Sequence, residues 1–226
     1  MSRLHLLNSG PGDPAWNMAV DESLLTSAAR RGTPVLRFYG WTEPAATFGY
    51  FQHHAEIETR TPLRPLIRRP TGGGIVPHDR DWTYSLAIPP GHPWYELRAL
   101  ESYRTMHAWV VRALHLVRVP ADLAPCCRKD IPGACFEGYE QYDVLAFGRK
   151  IAGAAQRRNR HGLLVQGSVQ PPTHAPRPAW EQAMLAQAPD AFFQGCESWT
   201  LDDALGAEAR TLVESKYGNP EYNRKR

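Results

Sequence analysis

Long apolar runs are missing from this sequence. None approaches the roughly 20 residues that a membrane-spanning helix needs. The first residues, Met1-Ser2-Arg3-Leu4-His5, lack the apolar core of a secretory signal, so the expectation is a cytoplasmic protein. Cysteine is sparse: Cys126, Cys127, Cys135 and Cys196 are the only four in 226 residues. Disulfides are disfavoured in the cytosol. The adjacent pair Cys126-Cys127 lacks the two-residue gap of a zinc knuckle or redox motif, and no metal is expected. Neither sign of charge dominates, with 26 Lys and Arg against 23 Asp and Glu. A net charge of +3 is too small to argue for nucleic acid or a membrane surface. Repeats, low-complexity tracts and long linkers are absent as well. The length suits one large domain, residues 1–226.

What is present reads as strands grouped together, with helices that do not strictly alternate with them. That order predicts an α+β fold rather than a doubly wound sheet. Leu4 to Leu7 reads as a strand, and Pro14 opens a helix whose apolar face carries Met18, Ala19, Leu24 and Leu25. Strands are expected over Val35 to Tyr39, Ala46 to Gly49 and Trp82 to Ile88. Tyr95 to Val117 reads as one helix and Pro120 to Gly133 as a loop. Tyr142 to Phe147, Lys150 to Ala155 and Leu163 to Val169 read as three strands, with turns at Gly148 and at Asn159 to Gly162. Pro171 to Pro178 reads as a loop, Trp180 to Gln187 and Leu201 to Tyr217 as helices, and Arg224-Lys225-Arg226 as a solvated tail.

Two segments carry candidate chemistry. Arg68-Arg69-Pro70-Thr71-Gly72-Gly73-Gly74 runs on to His78-Asp79. Three glycines let a backbone pass close to a ligand and aim amides at it, and the arginines add charge for a carboxylate, phosphate or phosphopantetheine. A glycine-rich turn beside a surface basic pair is the plainer reading. The run is neither a Walker loop nor a dinucleotide fingerprint. In the second segment Cys135 precedes Lys150 by fifteen residues. A thiol attacks as thiolate, and a nearby ammonium lowers its pKa. The plainer reading is a buried cysteine and a solvated lysine. Small residues at Gly153, Ala154 and Ala155 leave room for an acyl chain or for a tight strand crossing. His161 reads as a turn histidine.

Together these segments resemble the biotin/lipoate protein ligase superfamily, in its lipoate ligase and octanoyltransferase branch. The resemblance lies in Arg68 to Gly73 with His78-Asp79, in Gly148 to Gln156, and in Gln166-Gly167-Ser168. It extends to Asn17-Met18-Ala19 with Asp21-Glu22, Arg37-Phe38-Tyr39-Gly40-Trp41, and Lys216-Tyr217. Cys135-Phe136 ahead of Gly148-Arg149-Lys150 is similar to the LipM type of octanoyltransferase. Gly74 departs from that type, which has arginine there, and the Pro-Ser that commonly follows the cysteine is missing.

The resemblance implies an α+β domain of mixed or antiparallel sheets flanked by helices. It implies octanoyl transfer from acyl carrier protein to a lysine of a lipoyl-carrier protein, such as glycine-cleavage H protein or a dehydrogenase E2. Cys135 would hold the acyl group as a thioester, and Lys150 would stabilise its thiolate and help handle protons. Arg69, Thr71, Gly72, Gly73, Gly74, His78, Gly153 and Ala154 would form the substrate pocket, and backbone amides near Gly153 or the glycine run would supply an oxyanion hole. No cofactor is implied. ATP and Mg belong to the alternative, a lipoate-protein ligase, whose Gly-Arg-x-Gln element is here Gly49-Tyr50-Phe51-Gln52. A third reading is a non-catalytic carrier-binding module. A nucleic-acid role is least expected, since no helix-turn-helix segment is visible.

Overall fold

A computed structural model describes residues 2–129, 138–171 and 175–225. Its strands are β1 (Ser2–Gly12), β2 (Val35–Trp41), β3 (Ala45–Phe48), β4 (Leu66–Arg68), β5 (Val76–His78), β6 (Trp82–Ile88) and β7 (Asp122–Leu123). They continue with β8 (Arg128–Lys129), β9 (Gly138–Tyr139), β10 (Val144–Ala146), β11 (Arg149–Asn159), β12 (Gly162–Val169) and β13 (Phe193–Ser198). The helices are α1 (Pro14–Arg31), α2 (His54–Arg60), α3 (Pro93–Glu96), α4 (Ala99–Leu116), α5 (Arg177–Ala186), α6 (Asp203–Leu212) and α7 (Pro220–Arg224), with a π-helical turn over Val213–Tyr217. No helix among the described residues is long and apolar enough to cross a membrane.

Eight strands form one mixed sheet in the order β13-β1-β2-β6-β12-β11-β10-β7. Within this sheet only the β1 pairings, with β13 and with β2, are parallel. A smaller sheet has the order β4-β3-β5. This is the α+β arrangement of mixed sheets flanked by helices that the sequence predicts.

Strand alternation divides the large sheet into two unlike faces. Leu36 pairs with Leu86 and Leu86 with Val165, while Phe38 pairs with Tyr84. These side chains join Trp94, Trp109 and Trp180 in the main apolar core. On the opposite face Arg37, Ser85 and Gln166 lie in one row and Tyr39, Thr83 and Ser168 in the next. Every one of these six is buried. A polar row inside a protein must be hydrogen-bonded to be tolerated; α1 supplies the partners of Arg37, Ser85, Gln166 and Tyr39, and Asp81 those of Thr83 and Ser168.

Helix α1 starts where Asp13 accepts from the amides of Ala15 and Trp16, at 2.9 and 3.2 Å, ahead of Pro14. It stops at Gly32, whose φ of 68° lets its N–H reach the Ala28 carbonyl. Met18, Ala19, Leu24 and Leu25 are buried as the sequence predicts, and so are Asn17, Asp21, Glu22, Ser23 and Ser27. These five polar residues of α1 therefore face protein, while Thr26 and Arg30 are exposed.

Several elements differ from the sequence reading. The helix expected over Tyr95 to Val117 is split into α3 and α4, because Leu97 and Arg98 are extended at their junction. Within the loop expected over Pro120 to Gly133, Asp122 and Leu123 pair with β10, and Arg128 and Lys129 pair with β9. Residues 130–133 of that stretch lie outside the described residues. The last long helix begins at Asp203, capped by Asp202, and ends in the π-helical turn. Lys225 is exposed, as expected of a solvated tail, and its ammonium sits 4.3 Å from the Tyr50 ring centre and 4.2 Å from that of Tyr222.

Candidate active site

A pocket of about 490 Å³, open mouth included, lies between the polar face of the large sheet and the three-stranded sheet. Its walls include Met18, Val76, Gly153, Ala154 and Ala155, with Lys150, Arg69 and His78 as polar groups. The small residues sit on β11, whose Gly153 and Ala155 pair with Ser168 and Gln166. They open space beside the sheet. Among the described residues no group of three or more His, Cys, Asp and Glu is placed to hold a metal ion.

Lys150 is positioned by the β10–β11 hairpin. Its turn falls at Phe147 and Gly148, both with positive φ, at 51° and 73°. The ammonium meets the Asp143 carboxylate at 2.7 Å, with side chains 7% and 0% exposed. Gly153 is required next to it: a Cβ there would stand 2.8 Å from Lys150 Cε and 2.9 Å from Nζ. Asp143 also accepts from Tyr103 Oη and, at 2.7 Å, from the Glu140 amide. Burial, then Asp143, pushes the Tyr103 phenol well above its usual range, so it remains a donor.

The glycine run is held from inside the protein. Arg69 donates from Nε to the Gly72 carbonyl at 3.0 Å, and Thr71 donates to Gln166 Oε1 at 2.7 Å. Gly49 packs so closely that a Cβ would overlap the Gly73 carbonyl. Arg68 is fully buried and donates to the carbonyls of Tyr50, Gln52 and Asn223, at 2.8, 2.7 and 3.0 Å. The sequence reading of Arg68 as ligand charge is therefore corrected: it pins α7 to the loop after β3.

Residues 13–171 match the lipoyl protein ligase A/B catalytic domain. The chain belongs to that family. A curated relative, the octanoyltransferase LipM of Kyrpidia tusciae, is 36% identical over 184 residues. That match takes in 75% of this chain and 66% of the relative, so the chain spans about two thirds of that relative's length. Among solved structures, a T. acidophilum protein with bound lipoic acid matches with a TM-score of 0.81 at 22% identity, over 100% of this chain and 99% of that one. Lipoate-protein ligase A bound with ATP matches with a TM-score of 0.77 at 22% identity, over 99% of this chain and 98% of that one. At such identity the two structures establish the shared fold.

Set on this family fold, the residues expected from sequence divide. Arg69, Gly73, His78, Lys150, Gly153 and Ala154 all line the pocket. Thr71, Gly72 and Gly74 do not; Thr71 is buried behind it. Cys135 lies outside the described residues. His161 sits in the β11–β12 turn, away from the pocket lining. The sequence reading missed Asp143, Gln166 as a pocket residue, and Asp81. The motif pairs His78 with Asp79, yet Asp79 is exposed and Asp81 makes the contact, at 2.9 Å.

Behind Asp143, His107 of α4 holds the bend that aims it. His107 Nδ1 lies 2.6 Å from the carbonyl of Tyr142, which has a φ of 70°. The carbonyl can only accept, so the proton is on Nδ1. Nε2 is buried with no partner among the described residues. Desolvation lowers the His107 pKa to about 4, although Asp143 acts to raise it. The unfolded chain, with an ordinary histidine near 6.5, therefore binds an extra proton between these values. Stability should be fully present above pH 6.5 and should fall as pH drops towards 4. The expected loss is up to about 3 kcal/mol. Urea unfolding at several pH values would show it, and His107→Asn, which keeps a donor for Tyr142, should flatten that part of the curve.

Proposed function

We propose that this chain is a cytoplasmic octanoyltransferase. It moves an octanoyl group from acyl carrier protein to a lysine of a lipoyl-carrier protein, such as glycine-cleavage H protein or a dehydrogenase E2. The observation that carries the reading is the Lys150–Asp143 pair in the wall of a pocket lined with small and apolar residues. The relatives named octanoyltransferase LipM support the same reading. Cys135 attacks the donor thioester, and the acyl group moves from the donor sulfur to the cysteine sulfur. The amine of the acceptor lysine then displaces that sulfur and forms the amide. Lys150 supplies positive charge to the thiolate.

No nucleotide is called for in this scheme, since a thioester is already activated. The two arginines of the glycine run fit that view. Arg68 has no surface to offer a phosphate, and Arg69 is engaged by the Gly72 carbonyl.

Intact-protein mass measured after mixing with octanoyl carrier protein, without ATP, tests the proposal. Wild type should gain one octanoyl group and Cys135→Ser none. No adduct on wild type, or an equal adduct on the variant, would overturn it. Lipoate-dependent pyrophosphate release with ATP and magnesium would put a ligase in its place.

A further inference from the structure

The pocket holds a second ordered set of groups, opposite in character to Lys150–Asp143. His78 is 4% exposed and lies at the end of β5, where it lines the pocket. Trp41 stacks on its ring at 3.9 Å between centres, which fixes its plane. Its Nδ1 meets Asp81 Oδ2 at 2.9 Å, and its Nε2 meets Thr47 Oγ1 at 2.8 Å. Asp81 is held in turn: the same oxygen accepts from Thr83 Oγ1 at 2.9 Å and Ser168 Oγ at 2.7 Å. Its other oxygen is buried with no hydrogen-bond partner among the described residues.

The donors and acceptors fix where the protons are. A carboxylate only accepts, so His78 Nδ1 carries the hydrogen, and in the neutral ring Nε2 keeps a lone pair. A guanidinium only donates, and Arg69 Nη1 approaches Thr47 Oγ1 at 3.4 Å. With a lone pair on Nε2, the 2.8 Å contact is one in which Thr47 Oγ1 donates to His78 Nε2, leaving its oxygen to accept from Arg69. Thr47 also lines the pocket. The result is a proton path from the pocket wall, through a hydroxyl, to a basic nitrogen backed by a buried carboxylate. This is the arrangement of a positioned general base.

We propose that His78 accepts, through Thr47, the proton released when the acceptor lysine forms its amide, and that Asp81 is the positioning residue for His78. The assignment rests on the transfer reading above. In that step the C–N bond forms, the C–S bond breaks and the electron pair leaves on sulfur. The proton on nitrogen passes to Thr47 Oγ1 as the Thr47 proton passes to His78 Nε2. The imidazolium so formed shares a pocket with Arg69 and Lys150, two cations that oppose it. The Asp81 carboxylate offsets them, and later the proton returns to the sulfur. Asp81→Asn can keep an oxygen towards Nδ1, Thr83 and Ser168, so shape and tautomer stay, but the negative charge that offsets Arg69 and Lys150 is gone. The imidazolium is then left unsupported, and the base is weakened.

Single-turnover kinetics separate the two half-reactions. Wild type and Asp81→Asn are loaded from octanoyl carrier protein, freed of donor, and mixed with a lipoyl domain while the acyl-enzyme is followed by mass. Loading of the variant should stay within about threefold of wild type, which also shows that it folds, while discharge slows by about 100-fold or more. His78→Gly should lose discharge in the same way and regain part of it in added imidazole, a response that a purely structural role would not give. Wild-type discharge by Asp81→Asn, equal loss of loading and discharge, or no imidazole rescue would each overturn the assignment. A wild type that takes up no acyl group removes the transfer reading first, and this assignment with it.

Discussion

Lys150→Met should lower octanoyl transfer by about 100-fold or more, the scale of losing a catalytic charge or proton carrier, and should also cost about 3 kcal/mol of folding stability. The two losses have different origins. The first follows from the proposed role: without the ammonium the Cys135 thiol should ionise at higher pH, and its alkylation by iodoacetamide should shift the same way. The second follows from Asp143. That carboxylate is fully buried, and Lys150 is its ion-pair partner at 2.7 Å. Breaking a buried pair from one side leaves a charge in a poor dielectric, typically at about 3–5 kcal/mol. Asp143 would keep Tyr103 Oη and the Glu140 amide as donors, which places the expectation at the low end. The double variant Lys150→Met/Asp143→Asn should recover most of the stability and none of the transfer. Urea unfolding beside the transfer assay reads both. Transfer restored in the double variant would mean that Lys150 acts only by neutralising Asp143.

Local pattern carried much of the fold into the sequence. Pro14 with Asp13 marks the start of α1, and the β10–β11 and β11–β12 hairpins sit at Gly148 and Gly162, where chain reversal needs unusual φ values of 73° and 156°. What local pattern does not carry is which polar residues are inside. Asp21, Arg37 and Gln166 look like surface residues one by one, and become core only because α1 closes the polar face of the sheet. The edge strand β13 and the short β5 depend on pairing with distant partners, so their own few residues give no signal.

The same limit applies to the site. Lys150, Gly153, Ala154, Arg69 and His78 were legible as parts of motifs and do meet at one pocket. Their carboxylate partners were not. Asp143 is seven residues before Lys150 and becomes its neighbour only through the hairpin register. Asp81 displaces Asp79 because the strand β6, beginning at Trp82, turns Asp81 inward. Thr71, expected in the pocket, serves instead as a donor to Gln166 behind it.

Asp21→Ala should be strongly destabilising, by at least about 5 kcal/mol even where water relieves some of the stranded donors. Asp21 is fully buried and receives Arg37 Nη1 at 2.8 Å, Ser85 Oγ at 2.7 Å, Tyr39 Oη at 2.9 Å and Gln166 Nε2 at 2.7 Å. Its loss strands the Arg37 guanidinium, itself fully buried, which alone costs about 3–5 kcal/mol. Arg37 would keep Ser9 Oγ and two oxygens of Asn17, none of them charged. Three further donors lose an acceptor, each at about 1 kcal/mol or more if no water replaces it. Tyr39 gains nothing by ionising in compensation, since burial, the larger of the two causes that raise its phenol above the usual range with Asp21 in place, remains when Asp21 is removed. The effect reaches the pocket, because Gln166 stands between Asp21 and Thr71 and would be released at one end. For a chain of this size the expected fall in Tm is about 10–20 °C. Asp21→Leu combined with Arg37→Met should restore much of it, since an apolar pair of similar volume carries no desolvation cost. Thermal unfolding of the two proteins decides the matter. A loss below about 1 kcal/mol for Asp21→Ala would mean that water enters to solvate Arg37, and that the network is a polar channel instead of a sealed core.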